Sequence, residues 1–185
     1  FNAEATVLVS EIDTEFNKDP LNRDLVEYKP NFFLVNGRAF DPANPTAGKI
    51  DVVAGDMLLL HEANLGLRDR EVNILGARQS ILASDSHLLQ NPTNVAANFL
   101  TPGQVADAFV QVDPSLTAGT QLPLFDSGMH LHNDASSGLG GMMTYLDVLP
   151  GVGGLPGGPV TTAVTATPVV NDGTQPTTVS ATITA

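Results

Sequence analysis

Hydrophobic and polar residues alternate over short stretches through most of the first 150 positions of this chain. A period of two is typical of β-strands that bury one face and expose the other. The strands predicted on this basis cover residues 5–13, 31–37, 49–53, 57–64, 71–76, 79–83, 108–112 and 142–149. Because strands of this length and spacing are typical of sandwiches and barrels, we expect an all-β fold.

Turn and helix signals between the predicted strands are few. Asn36-Gly37, at the end of the second predicted strand, is a strong hairpin-turn signal. Helical turns are predicted at residues 24–28 and near residues 94–99, and neither of them would define the fold.

The composition changes at about residue 150. Residues 151–159 are so rich in Gly and Pro that we expect a linker, preceded by one domain at residues 1–150. Residues 160–185 are β-prone and rich in Thr, Val and Ala, which predicts a C-terminal β-hairpin extension. This hairpin is either the start of a truncated immunoglobulin-like domain or a segment that docks on the first domain or on a neighbouring chain. Because the chain begins at Phe1 without Met, we expect a processed or excised piece of a longer protein.

Charge and composition exclude several functional classes. The net charge is −12, from 20 acidic and 8 basic residues, and such a surface repels phosphate backbones, so we expect no nucleic-acid partner. No apolar run approaches the ~20 residues of a membrane-spanning helix, so we expect no membrane span. The chain has no cysteine, which removes disulfides, thiolate metal sites and a blue type 1 copper centre.

The most informative motif is His130-Leu131-His132, just before the last predicted strand, which holds two of the four histidines. In extended backbone these two side chains project from the same face. Two imidazoles on one face are half of a transition-metal site, and a stable centre needs about three or four ligands. His130 and His132 are therefore candidate copper ligands whose partners come from elsewhere, or else they are two ordinary histidines at a strand entrance.

Four other residues are candidates for this site. His61 follows three leucines and is either a further ligand or a buried core histidine, and His87 lies in a polar turn. Asp126 and Asp134 flank the histidine pair and either orient an imidazole through its second nitrogen or are solvated loop acids.

Several segments resemble motifs of the multicopper oxidase family, in the order that the family has them. Residues 31–38 resemble its FLINGR/K strand, and residues 49–60 resemble its I-x-V-x-x-G-D-x-x-x-L-R-L segment. Residues 61–67 are similar to the x-x-N-A-G-L that follows, and residues 128–146 resemble the ending H-x-H-N…G-x-x-GGM-x-T. Including the opening strand, the resemblance covers about residues 5–150.

This resemblance implies a cupredoxin-like Greek-key β-sandwich in a secreted protein, extracellular or periplasmic. In the family, H-x-H pairs hold coppers that lie between domains, so His130 and His132 are expected at one edge of an interdomain copper site. Another cupredoxin domain or protomer would complete that site.

Two departures from the family limit this expectation. There is no Cys for a blue copper, and residues 71–77 have no histidine where the family often has a His-rich strand. The isolated chain is therefore not expected to be an oxidase, and any copper it holds is non-blue. The alternative is a structural or interaction module of an extracellular assembly, with a vestigial metal site and strand pairing through residues 160–185. A calcium-stabilised sandwich ranks below both, because no EF-hand loop is present.

Overall fold

Eleven strands in two facing sheets form the fold of residues 1–133 and 138–151, which are the residues that the computed structural model describes. In chain order the strands are β1 (Ala3–Ile12), β2 (Phe32–Val35), β3 (Ile50–Val53), β4 (Met57–Asn64), β5 (Arg70–Ile74), β6 (Gln79–Ser84), β7 (His87–Val95), β8 (Ala97–Leu100), β9 (Val105–Gln111), β10 (Gln121–Asp126) and β11 (Met143–Leu149). A short helix, α1 (Thr14–Lys18), and a 3-10 turn (Leu25–Glu27) lie between β1 and β2. The all-β prediction is confirmed, and so is the turn predicted at residues 24–28.

The two sheets mix parallel and antiparallel neighbours. The first sheet has the strand order β2-β1-β4-β9-β6-β7, and the second has the order β3-β11-β10-β5-β8. Strand β1 pairs in parallel with β4, and β11 pairs in parallel with β3, whereas the remaining pairs are antiparallel. Because β2 and β3 lie in different sheets, the chain crosses between the layers early, as Greek-key sandwiches do.

The core lies between the sheets and follows the predicted alternation. Strands β6, β10 and β11 bury every second residue. The inward side chains of the first sheet include Val7, Val9 and Leu58, which are at most 1% exposed. They face Leu124 and Leu146 of the second sheet, which are equally buried. Burial of such aliphatic side chains contributes about 1.5–3 kcal/mol each, so this layer holds the sandwich together.

The Asn-Gly turn prediction is confirmed. Asn36 and Gly37 both have positive φ, at 51° and 72°, which is the conformation of the favoured hairpin turns. The Asn36 side chain also accepts a hydrogen bond from the backbone N–H of Leu8 at 2.7 Å, so this turn is tied to β1.

Three strands have no counterpart in the sequence-based prediction, and one predicted helix is wrong. Residues 94–99, expected to be helical, form the end of β7 and most of β8. Strand β7 is an edge strand with nearly every residue exposed, so it lacks the alternation that marks a half-buried strand. Strand β10 contains Pro123, which weakens the strand signal.

The predictions for residues 152–185, which include most of the linker and the whole C-terminal hairpin, lie outside the described residues. Helices in the described part of the chain reach five residues at most, which is far short of a bilayer-spanning length.

Candidate metal-binding site

A buried ion pair joins the two sheets next to the predicted histidine site. Arg70 begins β5 in the second sheet, and its guanidinium contacts the carboxylate of Glu11 on β1 in the first sheet. The Nε and Nη2 atoms of Arg70 lie 3.3 and 3.1 Å from Glu11 Oε2, and the Arg70 side chain is 2% exposed. Because two charges are removed from water here, loss of either partner would leave the other one buried and uncompensated.

Glu11 has further donors that satisfy its second oxygen. The backbone N–H groups of Leu67 and Arg68 donate to Glu11 Oε1 at 2.7 and 3.0 Å. Gly66 passes so close that an added Cβ would lie 1.9 Å from Glu11 Oε2, so no larger residue fits there without moving the carboxylate. The turn after β4 is thus shaped around the buried glutamate.

Asp126, the last residue of β10, is the second carboxylate beside Arg70. Its Oδ2 lies 3.6 Å from Arg70 Nη1, and its side chain is 2% exposed. Its Oδ1 accepts hydrogen bonds from the backbone N–H of Glu71 at 3.0 Å and of Gly128 at 3.3 Å. Of the two interpretations of Asp126 from sequence, a solvated loop acid is therefore wrong.

His130 is oriented by Asp126 through a short contact between Nδ1 of the ring and Oδ2 of the carboxylate. Arg70 Nη1 also lies 3.1 Å from His130 Nδ1. A carboxylate only accepts and a guanidinium only donates, so Nδ1 cannot satisfy both, and the charge-assisted pairing with Asp126 requires that Nδ1 carry a proton. In the neutral ring the lone pair is then on Nε2, which has no hydrogen-bond partner among the described residues.

The His130 ring also packs on Phe33 of β2. The two ring centroids are 4.4 Å apart with an interplanar angle of 37°. Arg70 lies over the same phenyl ring, with its Cζ 5.2 Å from the centroid. Phe33 is buried, so the imidazole is held by an apolar contact on its face as well as by the Asp126 contact at its edge.

His132 has the same arrangement in a more exposed position. Its Nδ1 lies 2.6 Å from the carbonyl oxygen of Gly138, which can only accept a hydrogen bond. Nδ1 of His132 therefore carries the proton, and its Nε2 is the basic nitrogen of the neutral ring. The two histidines thus share one tautomer, each with Nδ1 bonded to an oxygen atom.

The backbone of the histidine pair lies in a loop and not at a strand entrance, so that part of the prediction is wrong. Met129 has φ of 61°, which turns the chain away from β10 before the pair begins. The carbonyls of His130 and Leu131 accept hydrogen bonds from Met142 N at 2.8 Å and Gly140 N at 2.9 Å. A Cβ at Gly141 would lie 2.0 Å from the His130 carbonyl oxygen, so this close pairing requires glycine.

Asn133 fastens the end of the loop to β2. Its Oδ1 accepts a hydrogen bond from the backbone N–H of Phe33 at 2.8 Å, and its Nδ2 donates to the carbonyl of Gly140. Asn133 is buried, so its bond to Phe33 is shielded from water, and its bond to Gly140 is partly shielded. The loop that carries both histidines is therefore fixed at several points.

His61 and His87 lie elsewhere. His61 is on the outer face of the first sheet, not in the core, with Nδ1 2.6 Å from Asp107 and Nε2 3.0 Å from Glu4. His87 is exposed at the start of β7, with Nδ1 2.8 Å from the Asp85 carbonyl. Within residues 1–133 and 138–151, no three His, Asp or Glu side chains come together in a way that could hold a metal ion.

Sequence reasoning missed Glu11 and Arg70, which support Asp126. The signal was present as the order of residues along each strand. On strands β1, β5 and β10 the charged residue lies an even number of positions from the buried aliphatic residues. It therefore shares their face of the strand and must point into the sandwich. The three sets are Val7, Val9 and Glu11 on β1; Arg70, Val72 and Ile74 on β5; and Leu122, Leu124 and Asp126 on β10.

Comparison with solved structures identifies the fold. A blue copper oxidase from Nitrosomonas europaea matches with a TM-score of 0.65 and 18% identity, over 78% of this chain and 43% of that chain. A copper-containing nitrite reductase from Thermus scotoductus matches with a TM-score of 0.58 and 16% identity, over 79% and 30%. A laccase from Botrytis aclada matches with a TM-score of 0.59 and 15% identity, over 80% and 29%.

The chain thus has the cupredoxin-like β-sandwich fold that multicopper oxidases and related copper proteins use, as the motif resemblance predicted. It spans less than half the length of each of the three structures. No family model matches the sequence, and a search of curated proteins finds no match either.

Proposed function

We propose that this chain is a cupredoxin-like domain of a secreted copper protein made of several such domains, and that it contributes His130 and His132 to a copper site. Another cupredoxin domain or a second protomer would supply the remaining ligands. The observation that carries this proposal is the shared tautomer of the two rings, because each uses Nδ1 for a hydrogen bond to oxygen and keeps Nε2 as a donor atom.

This donor set fits copper, for which imidazole nitrogen is a suitable ligand. A bound copper would supply one-electron redox chemistry. The chain's own residues hold the ligands in place, because hydrogen bonds from metal-binding histidines to carboxylate or carbonyl oxygens fix the ring and raise the basicity of the other nitrogen. Asp126 has this role for His130, and the Gly138 carbonyl has it for His132.

The proposal limits what the chain does alone. Two imidazoles are too few for a closed site, and the described residues provide no third ligand beside them. The sequence has no Cys, so a thiolate-ligated blue copper cannot form in it. Electron transfer from a substrate would therefore depend on another domain.

The test is a Cu²⁺ titration of the purified chain, followed by electron paramagnetic resonance. We expect a copper signal with splitting from imidazole nitrogen and without an intense blue absorption band. Substitution of both His130 and His132 by Ala should remove the nitrogen-split signal. The matched control is the double substitution of His61 and His87 by Ala, which removes the same number of imidazoles and should leave the signal unchanged.

A structural or interaction module is the second candidate, favoured by the lack of a third ligand in the described part of the chain. If the variant without His130 and His132 binds copper as the unmodified chain does, the copper proposal is wrong and this second candidate stands.

A further inference from the structure

A second group of buried polar side chains lies between the two sheets and has no part in the proposed copper site. It consists of Glu62 on β4 and Gln79 on β6, both in the first sheet, and of Asn98 on β8 in the second sheet. The three residues are 2%, 0% and 9% exposed. Because a buried polar group costs free energy unless it is hydrogen-bonded, each of their polar atoms needs a partner.

Hydrogen bonds attach Glu62 and Gln79 to one place on the second sheet. Asn98 Nδ2 donates to Glu62 Oε2, and Gln79 Nε2 donates to the carbonyl oxygen of Val72 at 2.8 Å. Val72 and Asn98 lie directly opposite each other on β5 and β8. The Cα atoms of opposite residues in an antiparallel pair are about 4.5–5.5 Å apart. The two side chains therefore reach the same part of the core.

Each of these two side chains keeps one oxygen atom without a partner. Glu62 Oε1 and Gln79 Oε1 are shielded from solvent, and neither has a hydrogen-bond partner within residues 1–133 and 138–151. The Gln79 oxygen can only accept a hydrogen bond. Burial raises the pKa of Glu62 to about 8, so its carboxyl group is protonated at neutral pH, and the proton is on Oε1 because Oε2 accepts from Asn98. The core thus holds one donor and one acceptor that lack partners on the described chain.

Small side chains separate Glu62 from Gln79 on the first sheet. Strand β9 lies between β4 and β6, and the buried residues that it presents there are Ala106 and Ala108. Ala106 is opposite Glu62, and Ala108 lies on the diagonal from Glu62 toward Gln79, which is opposite Val110. Each alanine extends only one carbon atom into the core, so β9 does not fill the space between the two longer side chains.

We propose that a water molecule binds inside the core at this place, accepting a hydrogen bond from Glu62 Oε1 and donating one to Gln79 Oε1. Water is the smallest molecule that both donates and accepts, and buried waters in globular proteins typically satisfy polar groups that the chain leaves unpaired. The inference does not depend on copper, because neither Glu62 nor Gln79 is a proposed metal ligand or contacts one.

The test is water-to-protein NOE and ROE spectroscopy on the isotope-labelled full chain without added metal. We expect cross-peaks from water to the side-chain NH₂ protons of Gln79 and Asn98, with NOE and ROE of opposite sign, as a long-lived internal water gives. Absence of these cross-peaks would overturn the inference and would indicate that the two side chains bond to each other directly.

Glu62→Gln distinguishes a bound water from the exchangeable proton of the carboxyl group. An amide at position 62 can still accept from Asn98 and donate to the water, but its own protons exchange slowly with solvent. The cross-peaks to Asn98 should therefore persist in Glu62→Gln. Their disappearance would show that the carboxyl proton had carried the signal, and the water inference would be wrong.

Gln79→Met tests the second partner of the water. This substitution removes the accepting oxygen but keeps a side chain of similar length, so the water cross-peaks to Asn98 should be lost. The matched control is Gln90→Met, on an exposed residue of β7, which should leave them unchanged. Unchanged cross-peaks in Gln79→Met would overturn the bridging arrangement. If Gln79→Met does not fold, the result for Glu62→Gln decides the inference.

Discussion

His61 and His130 show how the partners of an imidazole determine what it can do. His61 has a carboxylate at each nitrogen, Asp107 at Nδ1 and Glu4 at Nε2. His130 has one carboxylate, Asp126 at Nδ1, and its Nε2 has no hydrogen-bond partner among the residues that the structure describes. The two side chains are similarly exposed, at 35% and 36%, so burial does not account for the difference.

The difference separates an imidazole that holds a second proton from one that keeps a lone pair on its second nitrogen. His61 must be doubly protonated to donate to both carboxylates, and the hydrogen bond to Asp107, with a smaller contribution from Glu4, raises its pKa above 6.5 despite partial burial. A doubly protonated ring has no lone pair for a metal ion. His130 is held by one acceptor only, so the second nitrogen of its neutral ring keeps its lone pair.

The largest loss of stability is expected from substitution of Arg70, which supports Asp126 beneath His130. Arg70→Met leaves Glu11 and Asp126 buried without their cation, and breaking a buried ion pair in this way costs about 3–5 kcal/mol of unfolding free energy. Urea unfolding measures this value. Arg38→Met, on an exposed arginine without a salt bridge among the described residues, should change it by less than about 0.5 kcal/mol. An equally small effect for Arg70→Met would show that the ion pair does not support the loop.

Next to His61 in the sequence is Glu62, a buried carboxyl group with too few hydrogen-bond partners. Glu62 points into the core and is 2% exposed, and its Oε1 has no hydrogen-bond partner within the described part of the chain. Burial raises the pKa of Glu62 from 4.5 to about 8, against the opposing effect of the hydrogen bond from Asn98. The carboxyl group is therefore protonated in the folded chain at neutral pH.

This raised pKa makes stability depend on pH. Glu62 takes up a proton on folding between its unfolded and folded pKa values, so its contribution is greatest below pH 4.5 and is lost as the pH rises toward about 8. Glu62→Gln should remove that slope and raise the unfolding free energy at pH 8 by a few kcal/mol, on the order of 3. Unfolding curves across this pH range measure it, with Glu27→Gln on an exposed residue as control. An unchanged slope in Glu62→Gln would contradict the assignment.

The next prediction concerns the tautomer of His130. In Asp126→Asn, Oδ1 of the amide keeps the backbone N–H bonds of Glu71 and Gly128, so its NH₂ group faces Nδ1 of the ring. Nδ1 must then accept a hydrogen bond, and the proton moves to Nε2. Nitrogen NMR of the imidazole should show this change, and copper binding should weaken about 10–100-fold. Retention of the Nδ1–H tautomer would show that Asp126 does not select it.

The smallest change in stability is expected from substitution of His61. A raised pKa means that its stabilising contribution is complete below pH 6.5 and is lost as the pH rises through the folded value. The site is partly solvated, so His61→Gln should cost less than about 1 kcal/mol at low pH and nothing at high pH. In NMR titrations, Asp107→Asn should lower the pKa of His61 more than Glu4→Gln does. The reverse order would mean that Glu4 is the main partner.

Much of the sandwich could be predicted because many of its strands alternate strictly between buried and more exposed residues, as β6, β9 and β11 do. Strand β7 could not, since it is exposed on both faces and hydrophobic burial leaves no pattern in it. His130 and His132 were evident from their spacing. Asp126 was a candidate to orient an imidazole because it flanks the pair. Glu11 and Arg70 were not candidates, because they are distant in sequence and meet Asp126 only when the sheets pack.

Position 141 should tolerate almost no amino-acid substitution. The backbone at residue 141 passes within reach of the His130 carbonyl only because it bears a hydrogen in place of a side chain. Substituting even alanine there would displace the loop and carry both imidazoles with it. In a saturation screen scored on copper uptake, position 141 should therefore be as intolerant as the histidines themselves, although it presents no donor atom of its own.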